Sequence, residues 1–153
     1  MKILDIVVIK NSGFSNITCK NLSDSSRYKV LKFKNIIDKA FENIQGLEKC
    51  LLESNNIQDM QEFESNLKKL EDNKSRTKEE EKKYKEMVEQ RDSYLNVRME
   101  MLKDEYELNG IKPISYEEWF ELRKENRPTD GKEIITNYIE DALKGVFWVE
   151  PDE

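Results

Sequence analysis

The chain has 153 residues, of which 37% are hydrophobic and 38% charged, and its formal net charge is −6. Globular chains are typically about 45–50% apolar and about 25% charged, so this composition predicts much surface per residue, as long helices have. The sequence contains no histidine, which excludes histidine acid–base catalysis, Ser–His and Cys–His nucleophile pairs and histidine metal ligation.

The first 22 residues predict a β-hairpin. Residues 3–9 (ILDIVVI) form a short β-branched run, and residues 11–13 (NSG) supply a turn. Residues 14–19 (FSNITC) alternate like a second strand. Because two strands alone are only marginally stable, we expect a helix or a third strand to support them.

A long helix is predicted from about residue 26 to residue 53, after N-cap candidates at residues 23–26 (SDSS). Its apolar residues are spaced alternately three and four apart, which is a heptad repeat. This helix seam consists of Val30, Phe33, Ile37, Ala40, Ile44, Leu47 and Leu51. Such a seam can pack against another helix of the same chain or against a helix of a second chain, and the sequence does not distinguish these two arrangements.

Residues 54–56 (SNN) can interrupt this helix. Asp59 and Glu62 then have the spacing of a capping box, which predicts either a second helix or the same helix after a kink. Residues 71–78 (EDNKSRTK) have no apolar side chain and predict a bend. The returning helix is expected over residues 78–109, ending at a left-handed cap formed by Gly110. Residues 23–109 therefore predict a long antiparallel helical hairpin.

The remaining residues, 110–153, predict two short helices and a terminal strand. Ser115 and Glu118 form a capping box for a helix that ends near residue 125. Periodic apolar residues predict another helix over 134–143, and residues 146–149 (VFWV) predict a strand that pairs with the N-terminal hairpin. The expected fold is mainly α, with a small β unit, in a single domain of residues 1–153.

No motif for enzyme chemistry stands out, and we expect no catalytic residue, no cofactor and no metal. The sequence has no glycine-rich phosphate loop, and its cysteines, Cys19 and Cys50, form no CxxC pair. The acids at positions 117, 118 and 121 could bind Mg²⁺, but solvated helix acids explain them more simply. Residues 130–132 (DGK) resemble part of a nuclease site, although a helix-entry turn explains them better.

Aromatic residues in the last third of the chain are the candidate contacts with a partner protein. They are Trp119, Phe120, Phe147 and Trp148. Aromatic side chains are enriched in the cores of interfaces. The alternative is that they close the base of the hairpin, most of all Trp119 and Phe120. Since Phe147 and Trp148 are adjacent in a predicted strand, we expect them to point to opposite faces. If the strand is covered on one side only, one of them is exposed and available to a partner.

We expect neither a nucleic-acid partner nor a membrane one. Basic residues concentrate between Lys20 and Lys39, but helical spacing spreads them over several faces, and the chain is acidic overall. No apolar run approaches the ~20 residues of a membrane span. The run at residues 1–10 is interrupted by Asp5 and is too short for an export signal, so we expect a cytoplasmic protein.

The order of elements resembles that of small uncharacterised phage and prophage proteins with a long helical hairpin. The resemblance lies in residues 26–50 (SRYKVLKFKNIIDKAFENIQGLEKC), the charged bend and residues 78–108 (KEEEKKYKEMVEQRDSYLNVRMEMLKDEYEL). It implies a phage or mobile-element origin, with the host cytoplasm or a virion as the location. The expected function is non-enzymatic: assembly through self-association, or binding of a host protein by a monomer.

Overall fold

The computed structural model describes residues 1–128 and 132–151. The fold is mainly helical, as predicted. Its elements in chain order are α1 (Ile3–Asn11), a 3₁₀ turn (Phe14–Asn16), α2 (Asp24–Ser54), α3 (Met60–Asp72), α4 (Lys78–Lys103), β1 (Ile114–Ser115), α5 (Tyr116–Glu125), α6 (Asn137–Leu143) and β2 (Trp148–Val149). The chain divides into two compact units. Unit 1 comprises Met1–Asn43 and Asp104–Glu153, and unit 2 comprises Ile44–Lys103.

The predicted N-terminal β-hairpin is wrong, because this segment of unit 1 is helical. Ile3, Ile6 and Ile9 of α1 are fully or almost fully buried. Their three-residue spacing places them on one face of a helix, and burying that face outweighs the preference of β-branched residues for strands. Gly13, with φ of 87°, then turns the chain into the 3₁₀ turn.

A two-stranded parallel sheet replaces the predicted three-stranded unit. Ile114 pairs with Trp148 and Ser115 pairs with Val149. The predicted C-terminal strand is therefore confirmed, but its partner is the segment before α5 and not the N-terminus. The two predicted short helices are also confirmed, and the capping box of Ser115 and Glu118 begins the first of them. Residues 129–131 of the predicted loop lie outside the described residues.

Within unit 1, the first part of α2 carries the dense half of the helix seam. Ser23 caps this helix by accepting a hydrogen bond from the backbone N–H of Ser26 at 3.3 Å. The seam residues in this part are buried: Val30, Phe33, Ile37 and Ala40. Phe33 lies between two other rings of unit 1, in an edge-to-face contact with Phe14 and stacked on Phe147.

Unit 2 contains the antiparallel helical pair that was predicted, with its bend between α3 and α4. Asp59 caps α3, and Thr77 with Glu80 caps α4, as their spacing predicts. The seam continues through the buried Ile44, but Leu47 is 48% exposed. Leu47 is therefore not buried within the single chain, and its place in the seam stays a prediction.

The returning helix ends at Lys103 and not at residue 109. Within unit 1, the residues that follow it pair with the N-terminus instead of continuing the helix. The amide of Ile3 donates to the carbonyl of Asp104 at 2.9 Å, and the amide of Tyr106 donates to the carbonyl of Met1 at 2.7 Å. These long-range bonds replace the helical bonds of the last predicted turns. Gly110 has the predicted left-handed conformation, with φ of 82°, but it does not cap α4, which ends at Lys103.

Candidate interaction surface

A cluster of aromatic rings forms the centre of unit 1. The rings of Trp119 and Trp148 are stacked with centroids 5.8 Å apart, and Trp119 meets Phe147 edge-to-face at 6.2 Å. All three side chains are buried. Of the four aromatic residues predicted to contact a partner, these three therefore belong to the core, as the alternative interpretation allowed for Trp119.

The expectation that either Phe147 or Trp148 is exposed is wrong. Phe147 lies in the turn that precedes β2, and its amide donates to the carbonyl of Leu143 at 2.9 Å. The alternation of faces along a strand does not apply across this turn. Both side chains consequently enter the same core.

Phe120 is the remaining candidate, and it is 47% exposed. It lies one helical turn after Tyr116, which is also exposed, whereas Trp119 and Leu122 of the same helix are buried. The ring centroid of Tyr116 is 5.8 Å from that of Trp148, so Tyr116 continues the buried cluster outward. Sequence reasoning missed Tyr116, although its four-residue spacing from Phe120 was visible.

Tyr116 and Phe120 border a cleft of about 400 Å³ in unit 1. We call the two rings and this opening the aromatic cleft. Its other lining residues include Arg123, Ile134 and Glu140. Half of the residues that line the cleft are polar or charged, so the two aromatic rings lie among polar groups: Arg123, Asn126, Arg127, Glu133 and Glu140.

Glu140 holds the base of the cleft together. Its carboxylate accepts a hydrogen bond from Nε1 of Trp119 at 2.9 Å and forms an ion pair with Arg123 at 2.7 Å. Its backbone carbonyl accepts from Nε1 of Trp148 at 2.9 Å. Burial by itself would raise the pKa of Glu140, but the bonds from Trp119 and Arg123 outweigh it and hold the pKa below its ordinary value. Both tryptophans are thereby fixed in orientation.

A second polar cluster joins α1, the 3₁₀ turn and α2. Nζ of Lys10 donates to Oγ of Ser15 at 2.9 Å and to Asp38 at 2.7 Å, and Ser15 donates to the same carboxylate oxygen at 2.7 Å. A serine beside a lysine resembles a nucleophile and its base. Here the lysine donates to the serine hydroxyl, and that hydroxyl donates to Asp38, so the serine proton is not directed at the lysine. We therefore interpret this cluster as a structural link.

Glu125, at the end of α5, organises the loop that leads into α2. Its carboxylate accepts hydrogen bonds from the amides of Lys20 and Asn21 at 3.0 and 2.7 Å, and from the hydroxyl of Thr18. Burial would raise the pKa of Glu125, yet these bonds lower it. Glu125 thus positions this loop, although no sequence motif singled it out.

The acidic residues considered for Mg²⁺ do not form a coordinating cluster. Glu118 is bound in its capping box, while Glu117 and Glu121 are exposed on α5. Over the residues that the structure describes, no three acidic or cysteine side chains are grouped so as to hold a metal ion. Asp130 and Gly131, considered for a nuclease site, lie outside those residues.

The basic residues of the N-terminal region are partly engaged with the protein itself. Nζ of Lys34 donates to the carbonyl of Ile17 at 3.1 Å, and Arg27 pairs with Asp24. None of the helices in the described ranges is long and apolar enough to cross a bilayer.

Comparisons of the chain with protein-family models, with curated proteins and with solved structures found no match. The resemblance to phage proteins stays a prediction. What the chain does is therefore inferred from its own residues.

Proposed function

We propose that this protein has no enzymatic activity and acts by binding another protein through the aromatic cleft. The observation that supports this proposal best is the pair of exposed rings, Tyr116 and Phe120, which lie one helical turn apart at the cleft, with Tyr116 beside the buried Trp148. A partner side chain that enters the cleft would cover both rings. Aromatic residues of this kind contribute a large share of binding energy at protein interfaces.

The buried aromatic cluster holds part of the cleft in a fixed conformation before a partner binds. Ordering flexible side chains on binding costs free energy, and a surface that is already fixed avoids part of that cost. Tyr116 packs near Trp148, which is held in turn by the carbonyl of Glu140. The ring of Tyr116 therefore rests on a preorganised base.

Affinity capture tests this proposal. The tagged protein would be used to recover stoichiometric partners from a lysate of its source organism, in parallel with Phe120→Ala and Tyr28→Ala. Phe120→Ala should reduce recovery about tenfold or more, since truncating an interface anchor has effects of this size. Tyr28 is 58% exposed on α2 and serves as the matched control, so Tyr28→Ala should recover as much as the wild type.

Thermal unfolding completes this experiment. Because Phe120 is largely exposed, Phe120→Ala should leave the melting temperature nearly unchanged. Equal recovery by the wild type and by Phe120→Ala, or the absence of any stoichiometric partner, contradicts the proposal.

Self-assembly is the second form of the proposed function. It is favoured by Leu47, which keeps the heptad register of α2 and yet is 48% exposed in unit 2. In this case the partner is another copy of the chain. Light scattering over a wide concentration range should then show a rising mass, and Leu47→Asp should reduce it; a constant monomer mass contradicts this form.

The proposal also covers location and origin. Cys19 and Cys50 are both free thiols, which suits a reducing compartment such as the cytoplasm. Phage or mobile-element origin rests on the pattern of the sequence alone. No cofactor, membrane or nucleic-acid partner is part of the proposed function.

A further inference from the structure

The segment that leads to β1 in unit 1 is held at its two ends and unbonded between them. At one end the amide of Tyr106 donates to the carbonyl of Met1 at 2.7 Å, and at the other the amide of Ile114 donates to the carbonyl of Phe147 at 2.7 Å. The backbone of residues 107–113 forms no hydrogen bond with the rest of the described chain. A backbone without such bonds changes conformation at a low free-energy cost.

An asparagine followed by a glycine lies in the middle of this stretch, at Asn109 and Gly110, and it is the one such pair in the sequence. Asn109 is exposed, and its side-chain amide forms no hydrogen bond with the described residues. The amide nitrogen of Gly110 is likewise unbonded among them. Glycine has no Cβ that would shield this nitrogen. Both groups are therefore open to reaction with each other.

The reaction that these two groups support is deamidation. The amide nitrogen of Gly110 loses its proton and forms a bond to Cγ of Asn109, while the Cγ–Nδ2 bond breaks. The proton passes through water to Nδ2, which leaves as ammonia, and a succinimide ring remains. Water then opens the ring: cleavage at Cγ gives aspartate, and cleavage at the main-chain carbonyl carbon gives isoaspartate. In sum, one water is consumed and one ammonia is released, without oxidation or reduction.

Lys32 of α2 lies against this peptide bond. Its Cε and Nζ are each 3.7 Å from the place that a Cβ on Gly110 would take, and no other described side chain comes within 4 Å of that place. Lys32 forms no ion pair with a described carboxylate, and no acid lies three or four positions from it on α2. A positive charge this close stabilises the anionic nitrogen that forms when the Gly110 proton leaves. Lys32 therefore favours the attack on Asn109.

The pair of Asn11 and Ser12 shows how the fold protects a similar sequence. Asn11 is exposed, as Asn109 is, and it is followed by another small residue. It lies at the end of α1, however, and the amide of Ser12 donates to the carbonyl of Val8 at 3.0 Å. An amide nitrogen bonded in a helical turn cannot approach the asparagine side chain until that turn opens.

We propose that Asn109 is a site of spontaneous deamidation, promoted by Lys32, which gives the protein a second form with one more carboxylate. The aspartate product carries this carboxylate near the Lys32 ammonium. The isoaspartate product adds a methylene to the backbone between the bonds of Tyr106 and Ile114. The inference goes beyond the proposed function and does not depend on it, because no residue of the aromatic cleft takes part.

The test ages the full-length protein at neutral pH over several days and follows each asparagine by peptide mapping with mass spectrometry. Exchange of an amide for an acid changes the peptide mass, and fragmentation distinguishes isoaspartate from aspartate. In the folded protein, deamidation at Asn109 should be at least about tenfold faster than at Asn11. In urea that unfolds the chain, deamidation at Asn11 should accelerate, because the bond that protects it is lost.

Substitutions at two lysines of α2 identify the charge that promotes the reaction. Lys32→Gln should slow deamidation of Asn109 about threefold or more, which is the size of effect expected for a partly exposed charge. Lys32→Arg keeps the charge and should retain most of the rate. Lys29 is also half-buried, but its side chain does not come within 4 Å of the Cβ position of Gly110. Lys29→Gln is therefore the matched control and should leave the rate unchanged.

Several results overturn the inference. They are the absence of deamidation at Asn109, equal rates at Asn109 and Asn11 in the folded protein, and equal rates in Lys32→Gln and Lys29→Gln. Asn109→Gln should abolish the more acidic form that isoelectric focusing resolves after ageing, and persistence of that form would place the charge change elsewhere. Phe120→Ala, which tests the aromatic cleft, should deamidate at the rate of the wild type, so the two proposals fail separately.

Discussion

At the scale of single residues, Glu140 is the polar group on which the aromatic cluster depends. Replacing it in Glu140→Gln keeps the shape of the side chain but removes the charge that pairs with Arg123. We expect the free energy of unfolding at neutral pH to fall by about 1–3 kcal/mol, as for the loss of charged hydrogen bonds in a partly buried site. Chemical denaturation followed by tryptophan fluorescence measures this, since both tryptophans contact Glu140.

A conservative exposed change, Glu121→Gln, is the control for that measurement. It lies on α5 but on the solvent side, and its effect should stay within about 0.5 kcal/mol. Equal stability of Glu140→Gln and Glu121→Gln would show that Glu140 does not support the cluster.

The pH dependence of stability follows from the same residue. The pKa of Glu140 is lower in the folded protein than in the unfolded chain. Its contribution is therefore fully present above about pH 4.3, the ordinary glutamate pKa, and is lost as the pH falls through the folded pKa. Asp38 and Glu125 also have lowered pKa values. The Glu140→Gln variant should therefore still lose some stability in acid.

The difference between the wild type and Glu140→Gln isolates this one group. The difference in unfolding free energy should shrink as the pH is lowered from 6 towards 3, a range chosen to span the glutamate pKa of about 4.3. A difference that stays constant over this range would exclude a titration of Glu140 as its source.

At the scale of secondary-structure elements, Gly46 is a weak point in α2. It lies in the part of the helix that belongs to unit 2, it is exposed, and an added Cβ would meet nothing within 4 Å. Glycine within a helix costs about 0.5–1 kcal/mol relative to alanine. Gly46→Ala should therefore raise the free energy of unfolding by about that amount, measured by urea denaturation.

Gly13 provides the opposite case. With φ of 87°, it occupies a conformation that favours glycine. Gly13→Ala should therefore destabilise the protein, and a gain in both variants would show that the helical position of Gly46 is not the reason for its effect.

Helices whose starts or buried faces depend on residues close together in the sequence could be predicted. The start of α5 depends on Ser115 and Glu118, three residues apart, and the start of α4 depends on Thr77 and Glu80 in the same way. Such signals are contained within a few residues. The heptad spacing of the first half of α2 likewise predicted the burial of Val30 to Ile44.

Features that depend on contacts between residues far apart in the sequence could not be predicted. The end of α4 depends on bonds from residues 104 and 106 to residues 3 and 1, which are about one hundred positions away. For α1, the β-branched composition indicated a strand, whereas the three-residue spacing of its buried isoleucines was the signal for a helix. In the candidate site, composition identified Phe120, but only the packing shows that Trp119, Phe147 and Trp148 are buried.

At the scale of the whole molecule, the two units differ in how much core they have. Unit 1 contains the stacked and edge-to-face ring contacts from Phe14 to Trp148. Unit 2 buries few side chains among its sixty positions: Ile44, Ile57, Leu67, Met87, Tyr94 and Met101. Apolar burial is the main source of stability, so unit 2 is stabilised less than unit 1.

The smaller core of unit 2 predicts that unit 2 opens locally more easily than unit 1. Regions with few buried apolar contacts open locally at a lower free energy than the global value. Amides in the middle of α3 and of α4 should therefore exchange with solvent faster than amides in the first half of α2, which belongs to unit 1. We expect a difference of roughly 1 kcal/mol or more in opening free energy, which is about fivefold or more in rate.

Native-state hydrogen exchange with increasing denaturant measures these opening free energies. If Leu67→Ala, in the core of unit 2, is introduced, the exchange of α3 and α4 should accelerate while that of α1 remains as in the wild type. Ile6→Ala, in the core of unit 1, serves as the reciprocal variant. Uniform acceleration throughout the chain in both variants would mean that the two units unfold together, and the thin core of unit 2 would then have no separate consequence.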